Sequence, residues 1–327
     1  MRNFIEYIKI SNFKSIRQFE ISGCRRINLF IGKPNVGKSN IIEALSLFSI
    51  PYLRENKSKK LTQLIRLENE SELFHNGNIA ETATILTNIG DCGLSFNPKE
   101  GLFIGTHTSN YKVDDKLNIK TISKNSFISP VKKYIYKHDV AYRKSHAKYL
   151  IPPFGYNLLS IIQNYYDLKR QVKELFKEYG LEIAFDKASQ TIKVIQNNEN
   201  GLFLIPYNSV ADTLQRVIFY KSAIISNNDS ILLFEEPEAH SFPPYMSHIT
   251  QEIIHKTDNQ FFIATHSPFI LNNLLENARS ELSVYMVDYK DKQTVLNRLS
   301  DDTLHEVLQY GVDLFTNSES YGFGSNT

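Results

Sequence analysis

Residues 27–50 read INLFIGKPNVGKSNIIEALSLFSI: an apolar run, a loop bounded by glycines, then a stretch with Ile41, Ile42, Leu45 and Phe48 at helical spacing. The loop has the pattern G-x-x-x-x-G-K-S, with Gly32, Gly37, Lys38 and Ser39 at the fixed positions. A plain strand–turn–helix would need no such spacing. A phosphate cradle does. Small glycines let successive backbone N–H groups wrap an anion, and the following helix adds positive potential at its N-terminus. Lys38 is placed to reach the outer phosphates, and the Ser39 hydroxyl to ligate magnesium. The candidate binding set is Gly32, Asn35, Val36, Gly37, Lys38, Ser39 and Asn40, and the expected ligand is a nucleoside triphosphate.

Phosphate binding alone does not hydrolyse; that needs an acid near the metal and a group that positions water. SILLFEEPEAH supplies two carboxylates at the end of the apolar run Ile231 to Phe234. Ligand chemistry on parallel sheets collects at strand carboxyl ends. Glu235 is placed to hold Mg2+, and Glu236 to polarise the attacking water. The competing reading is a surface carboxylate pair before a proline turn. Further on, FFIATHSP repeats the geometry, with Thr265, His266 and Ser267 after a buried strand. His266 reads as a γ-phosphate contact, or as a structural hydrogen-bonding group. A third piece, PYNSVADTLQR, opens a helix. Ser209 with Asp212 forms a capping-box pattern, and the same helix start reads equally as a grip on a phosphate bound by a second subunit.

Along the chain, alternation predicts strands around Ile8 and Ile10 and around Phe19 and Ile21, and a more buried one over RINLFI. The helix after the loop is expected to end at Pro51. Residues 51–78 give no clear pattern. Short strands follow in IAETATIL, GLSFNP, GLFIG, KLNIKTI and VKKYIYK. Residues 157–179 predict one long helix, with Leu158, Ile161, Ile162, Tyr165, Leu168, Val172 and Leu175 on one face and Gly180 as its stop. A hairpin (LEIAF, TIKVIQ), a strand GLFLIPY, a helix from Ser209 to about Ser226, and strands in SILLFEE and QFFIATH come next. VYMVDY and TVLNRL are expected as closing strands, and TLHEVLQYG as a last helix.

The composition, 42% hydrophobic and 22% charged over 327 residues, is that of an ordinary globular protein. The formal net charge of +2 conceals residues 112–148, where ten Lys or Arg face three Asp and interleave with Phe127, Tyr134, Tyr136, Tyr142 and Tyr149. That segment reads as a solvated basic surface, or as a surface for nucleic acid or an acidic partner. Cys24 and Cys92 lack metal-ligand or pairing spacing, which fits a reducing cytoplasm. No apolar run approaches membrane-spanning length, and MRNFIEYIKIS lacks the pattern of a signal peptide.

The order IKISNFKSI, GKPNVGKSN, NSVAD, LLFEEPEAH, IATHSP resembles the ATP-binding head of ABC-type ATPases, nearest the SMC-like and RecF/OLD-like branch. The resemblance implies an α/β head: a mixed sheet around a P-loop core, with a β-rich N-terminal lobe and a helical signature lobe. Its expected layout is one head over 1–327. Strands and P-loop occupy 1–50, an inserted β-rich and helical lobe 51–208, the signature helix, Walker B strand and switch histidine 209–316, and a frayed tail 317–327. It further implies ATP and Mg2+ as cofactors, with Lys38, Glu236 and His266 catalytic, Ser39 and Glu235 on the metal, and Ser209 at the signature serine. Two such heads usually close face to face on two ATP molecules. Here the Walker B acid is glutamate where aspartate is usual, and Val210 and Ala211 replace the two glycines of the signature.

The segment 157–179 is too short for a coiled-coil arm, and the sequence after THSP is too short for a Toprim nuclease domain. The resemblance therefore implies a stand-alone head, like the ATPase subunits of two-gene anti-phage systems such as PARIS. Three functions are in play: an oligomeric, cytoplasmic ATPase that controls a separate nuclease or toxin; a RecF-like repair ATPase that closes on DNA through residues 112–148; and an assembly locked by ATP with little hydrolysis. A transporter ATPase fits less well, since its signature normally keeps the two glycines.

Overall fold

The computed structural model describes residues 3–56, 58–124, 129–186, 188–199, 201–317 and 321. Strands Tyr7–Phe13 (β1) and Ile16–Ser22 (β2) form an antiparallel hairpin whose turn holds Lys14 at φ 50°. Ile27–Ile31 (β3) is buried at every position and leads through the glycine loop into helix Lys38–Ser46 (α1). The sequence predicts a helix running to Pro51. α-Geometry instead stops at Ser46 and tightens into a 3-10 segment, Leu47–Glu55, that passes through Pro51. In an α-helix the Pro51 ring would strike the Leu47 carbonyl, so the chain leaves that geometry at Leu47.

Residues 51–78 resolve into short 3-10 turns at Leu61–Gln63, Glu70–Leu73 and His75–Gly77. Ala83–Thr87 (β4), Gly90–Asn97 (β5), Gly101–Thr106 (β6), Ser109–Val113 (β7) and Ile119–Lys124 (β8) then extend the hairpin into a seven-stranded antiparallel sheet, ordered β2-β1-β4-β5-β6-β7-β8. β7 was not legible, because SNYKV turns a serine inward with Tyr111 and Val113 and so lacks a clear apolar alternation. Val131–Tyr134 (β9) leaves this sheet for another.

The remaining elements are helices Leu158–Asn164 (α2) and Tyr166–Lys177 (α3), strands Leu181–Asp186 (β10), Thr191–Asn198 (β11) and Gly201–Pro206 (β12), and helix Asp212–Ser226 (α4). Ile231–Glu235 (β13), Met246–His255 (α5), Gln260–Ala264 (β14) and Pro268–Ala278 (α6) follow. Leu282–Lys290 (β15), Gln293–Arg298 (β16) and Asp301–Tyr310 (α7) complete the order. Among the described residues no helix is long and apolar enough to cross a membrane.

The chain divides into two compact units that do not follow the segments expected from sequence. The first contains Met1–Lys133, Asp229–Glu236 and Thr257–Thr327. Its second sheet is six-stranded and mixed, ordered β16-β15-β3-β14-β13-β9, with β15, β3, β14 and β13 parallel and β16 antiparallel. α1 packs on β13 and β14 of this sheet and on β1 of the other, so one apolar core joins both sheets through Ile41, Ile42 and Leu45. The strands of residues 83–124 therefore belong with the N-terminal hairpin rather than to an inserted lobe.

The second unit contains Tyr134–Asn228 and Pro237–Lys256, with α2 to α5 and the three-stranded sheet β10-β11-β12. The single helix expected over 157–179 is two. Tyr165, at φ −103° and ψ 105°, separates them, and its hydroxyl donates to the Lys148 carbonyl at 2.6 Å. The apolar stripe continues across the break in Leu168, Val172 and Leu175, so periodicity alone could not reveal it. Gly180, at φ 67°, does follow the helix end. Of the expected frayed tail, only Asn317 and Tyr321 are described.

Candidate nucleotide site

The loop between β3 and α1 is shaped by its neighbours. Gly32 sits at φ 148°, where a Cβ would stand 2.2 Å from the Val287 carbonyl oxygen on β15. Gly37, at φ 101°, has Thr294 Oγ1 of β16 at 2.0 Å from the same imagined atom. Real Cβ atoms do not approach that closely, so both positions require glycine. Asn35 also adopts a left-handed conformation, φ 62°.

The FKSI turn docks onto this loop. The Asn40 amide donates to Ser15 Oγ at 2.6 Å, and Ser15 and Thr294 share a hydroxyl hydrogen bond of 2.6 Å. Thr294 Oγ1 donates in turn to the Val36 carbonyl at 2.9 Å. Asn40 and Val36, expected on the nucleotide, thus hold the loop's frame.

Gly37 is the N-cap of α1, and no side chain caps that helix end among the described residues. Its first N–H groups and positive end therefore suit an anion. Lys38 Nζ donates to the carbonyls of Gly32 at 3.0 Å and Lys33 at 2.7 Å, which keeps the ammonium against the loop.

Glu235 ends β13, and the Ser39 hydroxyl hydrogen-bonds to its carboxylate. Two hard oxygen donors side by side fit Mg2+, which takes a few protein oxygens and completes its shell from phosphate and water. Glu235 is also surrounded by cations. Lys133 Nζ lies 3.4 Å from Oε2, and the Arg66 guanidinium pairs with Oε1. Burial alone would push the carboxyl pKa up, but Lys133, Arg66 and the Ser39 hydrogen bond hold it below the usual range. Burial, opposed by Glu235 and Glu43, leaves the Lys133 pKa below that of an ordinary lysine.

The same network runs into α1. Glu43 is buried and accepts from Arg66 Nε at 3.1 Å and from Lys14 Nζ at 2.5 Å. Sequence reading missed Arg66, Lys133, Glu43 and Lys14. Arg66 lies in the stretch with no pattern. Lys133 looked like one of the bases of segment 112–148. That segment is not one surface: Lys132 and Lys133 are buried, and the stretch crosses from the first unit into the second.

Glu236 follows β13 at φ 44°, fixed by its N–H donating to the Ala264 carbonyl at 2.8 Å. Its Oε1 lies 3.6 Å from Nε2 of His266, just past the end of β14. Partial burial, reinforced by the nearby Lys38 charge, keeps the His266 pKa below the ordinary imidazole value despite Glu236. Lys38, Ser39, Glu235, Glu236 and His266 therefore gather at the carboxyl ends of three neighbouring parallel strands, β3, β14 and β13.

Ser209 lies in the second unit, exposed, in the 3-10 turn Tyr207–Ser209. The expected capping box is not formed. The N-cap of α4 is Ala211, without a side-chain cap, and Asp212 accepts from Arg216 Nε at 2.7 Å instead. The extended Val210 and its carbonyl bond from Gln215 Nε2, 2.8 Å, carry Ser209 out of the cap position.

The parallel strands β3, β14 and β13, the phosphate loop and the strand-end carboxylates define a P-loop ATPase domain. The family model described as "AAA domain, putative AbiEii toxin, Type IV TA system" matches residues 104–272, just over half of the chain, and the chain belongs to that family. That match includes Glu235, Glu236 and His266 and begins after the phosphate loop. Among curated proteins, the uncharacterized protein MJECL10 of Methanocaldococcus jannaschii is 48% identical over 44 residues, 14% of this chain, and the match spans 20% of that protein's length.

Three solved SMC heads are similar across most of the chain. One, bound to the C-winged helix domain of ScpA, has 13% identity and a TM-score of 0.49, and the match covers 91% of this chain and 98% of that one. The head from Thermotoga maritima gives 11% and 0.44, covering 92% and 100%. A third, with an extended coiled coil and bound to the C-terminal domain of ScpA derived from Pyrococcus furiosus, gives 12% and 0.47, covering 94% and 99%.

Proposed function

We propose that the first unit binds ATP at Gly32–Asn40 and hydrolyses it, with Glu236 as the base. The observation that carries this reading is the 3.6 Å approach of Glu236 and His266 beside the loop that holds Lys38. Lys38 neutralises outer-phosphate charge. Glu236 accepts a proton from the attacking water as the new P–O bond forms and the bond to ADP breaks. His266, neutral at pH 7, orients the terminal phosphate or the water by a hydrogen bond. Ser39 and Glu235 would hold Mg2+, which supplies charge neutralisation on the phosphates when bound.

The nucleotide state, on this reading, controls an assembly of at least two copies. The exposed Ser209, which serves no cap, completes the site of a second copy. The output passes to a separate effector, a nuclease or toxin, in anti-phage defence of the two-gene kind. The family description, which names a putative toxin and a type IV TA system, is what motivates a toxin-linked reading. The burial of Lys132 and Lys133 weakens the motive for a DNA surface over 112–148.

Phosphate release by the purified chain, with Glu236→Gln beside it, tests the chemistry. Turnover that is equal in both would sink the assignment of the base. Capture of partners on the ATP-loaded Glu236→Gln protein from its host tests the output. A nuclease or toxin-like protein is expected, and DNA with recombination proteins alone would replace the defence reading.

A further inference from the structure

A cavity of about 550 Å³ in the first unit is lined by the 3-10 segment Leu47–Glu55 and strands β7 and β8, and shares no lining residue with the phosphate loop. That volume is within the range of small-molecule sites. Its floor is apolar and buried: Ile50, Tyr52, Tyr111 and Ile119. The Tyr52 hydroxyl donates to the Ser129 carbonyl at 2.5 Å, so the ring is fixed.

Its rim is cationic. Arg54, Lys59 and Lys120 line it with exposed side chains, and no acidic side chain lines it among the described residues. Asp114, which feels the charge of Lys120, has its Oδ1 engaged by the backbone N–H groups of Lys116 at 3.0 Å and Asn118 at 2.9 Å. The wall bearing Lys59 is stitched to the neighbouring strand, with Ile119 N–H donating to the Lys59 carbonyl and Leu61 N–H to the Leu117 carbonyl, each at 2.9 Å. The cavity is thus built on backbone hydrogen bonds. None of these residues belongs to the nucleotide site.

We infer that this pocket binds a small amphipathic anion, an apolar body with a carboxylate or phosphate head. The body lies against Tyr52, Tyr111 and Ile119, and the head meets the three cations at the rim. The chain has no tryptophan. Thr121, exposed on the pocket wall, can therefore carry a single fluorescent reporter as Thr121→Trp in the full chain.

Titration with dodecanoate and with dodecyl phosphate is expected to give a saturable change in emission, the tighter ligand naming the head group. Neutral dodecanol is expected to bind at least tenfold more weakly. Adding Lys59→Glu and Lys120→Glu to the reporter chain is expected to weaken the anion at least tenfold. No saturable change, equal affinity for dodecanol, or an affinity untouched by charge reversal in a variant with unchanged circular dichroism would overturn the inference. The dodecanol comparison needs no charge variant, so it stands even if that variant misfolds.

Discussion

Lys133 Nζ lies 3.4 Å from Oε2 of Glu235, with side-chain exposures of 2% and 17%. A buried cation thus faces the carboxylate expected to ligate magnesium. Removing one partner of such a pair leaves the other poorly compensated, although Arg66 still reaches Glu235. Lys133→Met is expected to destabilise the protein by about 2 kcal/mol at pH 7. The depressed Glu235 pKa contributes stability that is present above its unfolded value and lost as pH falls through the folded one. The difference between wild type and Lys133→Met should therefore shrink below about pH 4, near the ordinary glutamate value. Urea melts at pH 7 and at about pH 3 check it, and an equal difference at both would contradict the pairing.

The glycine loop between strand and helix was legible because a phosphate cradle demands fixed residues at fixed spacing, and the strand-end positions of Glu236 and His266 because each follows a continuous apolar strand. The helix break at Tyr165 was not, since the buried stripe runs through it unchanged. Arg66 and Lys133 were invisible for another reason. Their roles come from strand order and from a 3-10-rich segment, neither of which leaves a period in the sequence. The apparent capping box at Ser209 shows the opposite error. The pattern fits, but Val210 is extended and the helix starts at Asp212.

Lys38→Ala should lose ATP binding by at least about 100-fold, since it removes the charge held against the loop. The readout is the melting shift that ATP causes. A ligand at 100 times its Kd stabilises by about 2.7 kcal/mol, and the variant should show almost none at the same concentration. A wild-type shift in Lys38→Ala would place the nucleotide elsewhere.

Gly32→Ala should abolish nucleotide binding by a different route. The added methyl meets a backbone oxygen at 2.2 Å, so β15 or the loop must move. A stability loss of about 2 kcal/mol or more is expected from the strained φ and the clash. Gly77→Ala serves as a control. Its φ of 70° carries conformational strain but no atom lies within 4 Å, so it should cost less and leave ATP binding intact. Calorimetric titration with ATP on both variants separates the two.

Glu236→Gln is expected to bind ATP normally and to cut turnover at least about 100-fold, within the range of a lost general base. His266→Ala should lower turnover less, with little change in binding. The His266 pKa lies below the ordinary imidazole value, so wild-type turnover should be flat near pH 7 and fall only on the acid side, as the ring gains a proton. His266→Ala should remove that ring's share of the fall. An unchanged acid limb in His266→Ala would assign the limb to another group.

Lys132 gives the clearest pH signature of stability. Burial, opposed by the charge of Glu55, brings its pKa down to about 8. The unfolded chain therefore binds more protons than the folded one between about pH 8 and the ordinary lysine value, and stability rises with pH across that window. Below it, the folded protein carries the full cost of a buried ammonium. That cost is only partly offset by donation to Ser230 Oγ at 3.2 Å and by the Tyr52 ring, 5.7 Å away. Lys132→Met removes the cost and keeps most of the apolar stem. It should stabilise the protein by about 2 kcal/mol at pH 7, with the advantage fading as pH rises from 8 towards 10.5. Thermal melts of the two proteins across pH 7 to 10 decide it, because a surface lysine would give no such convergence.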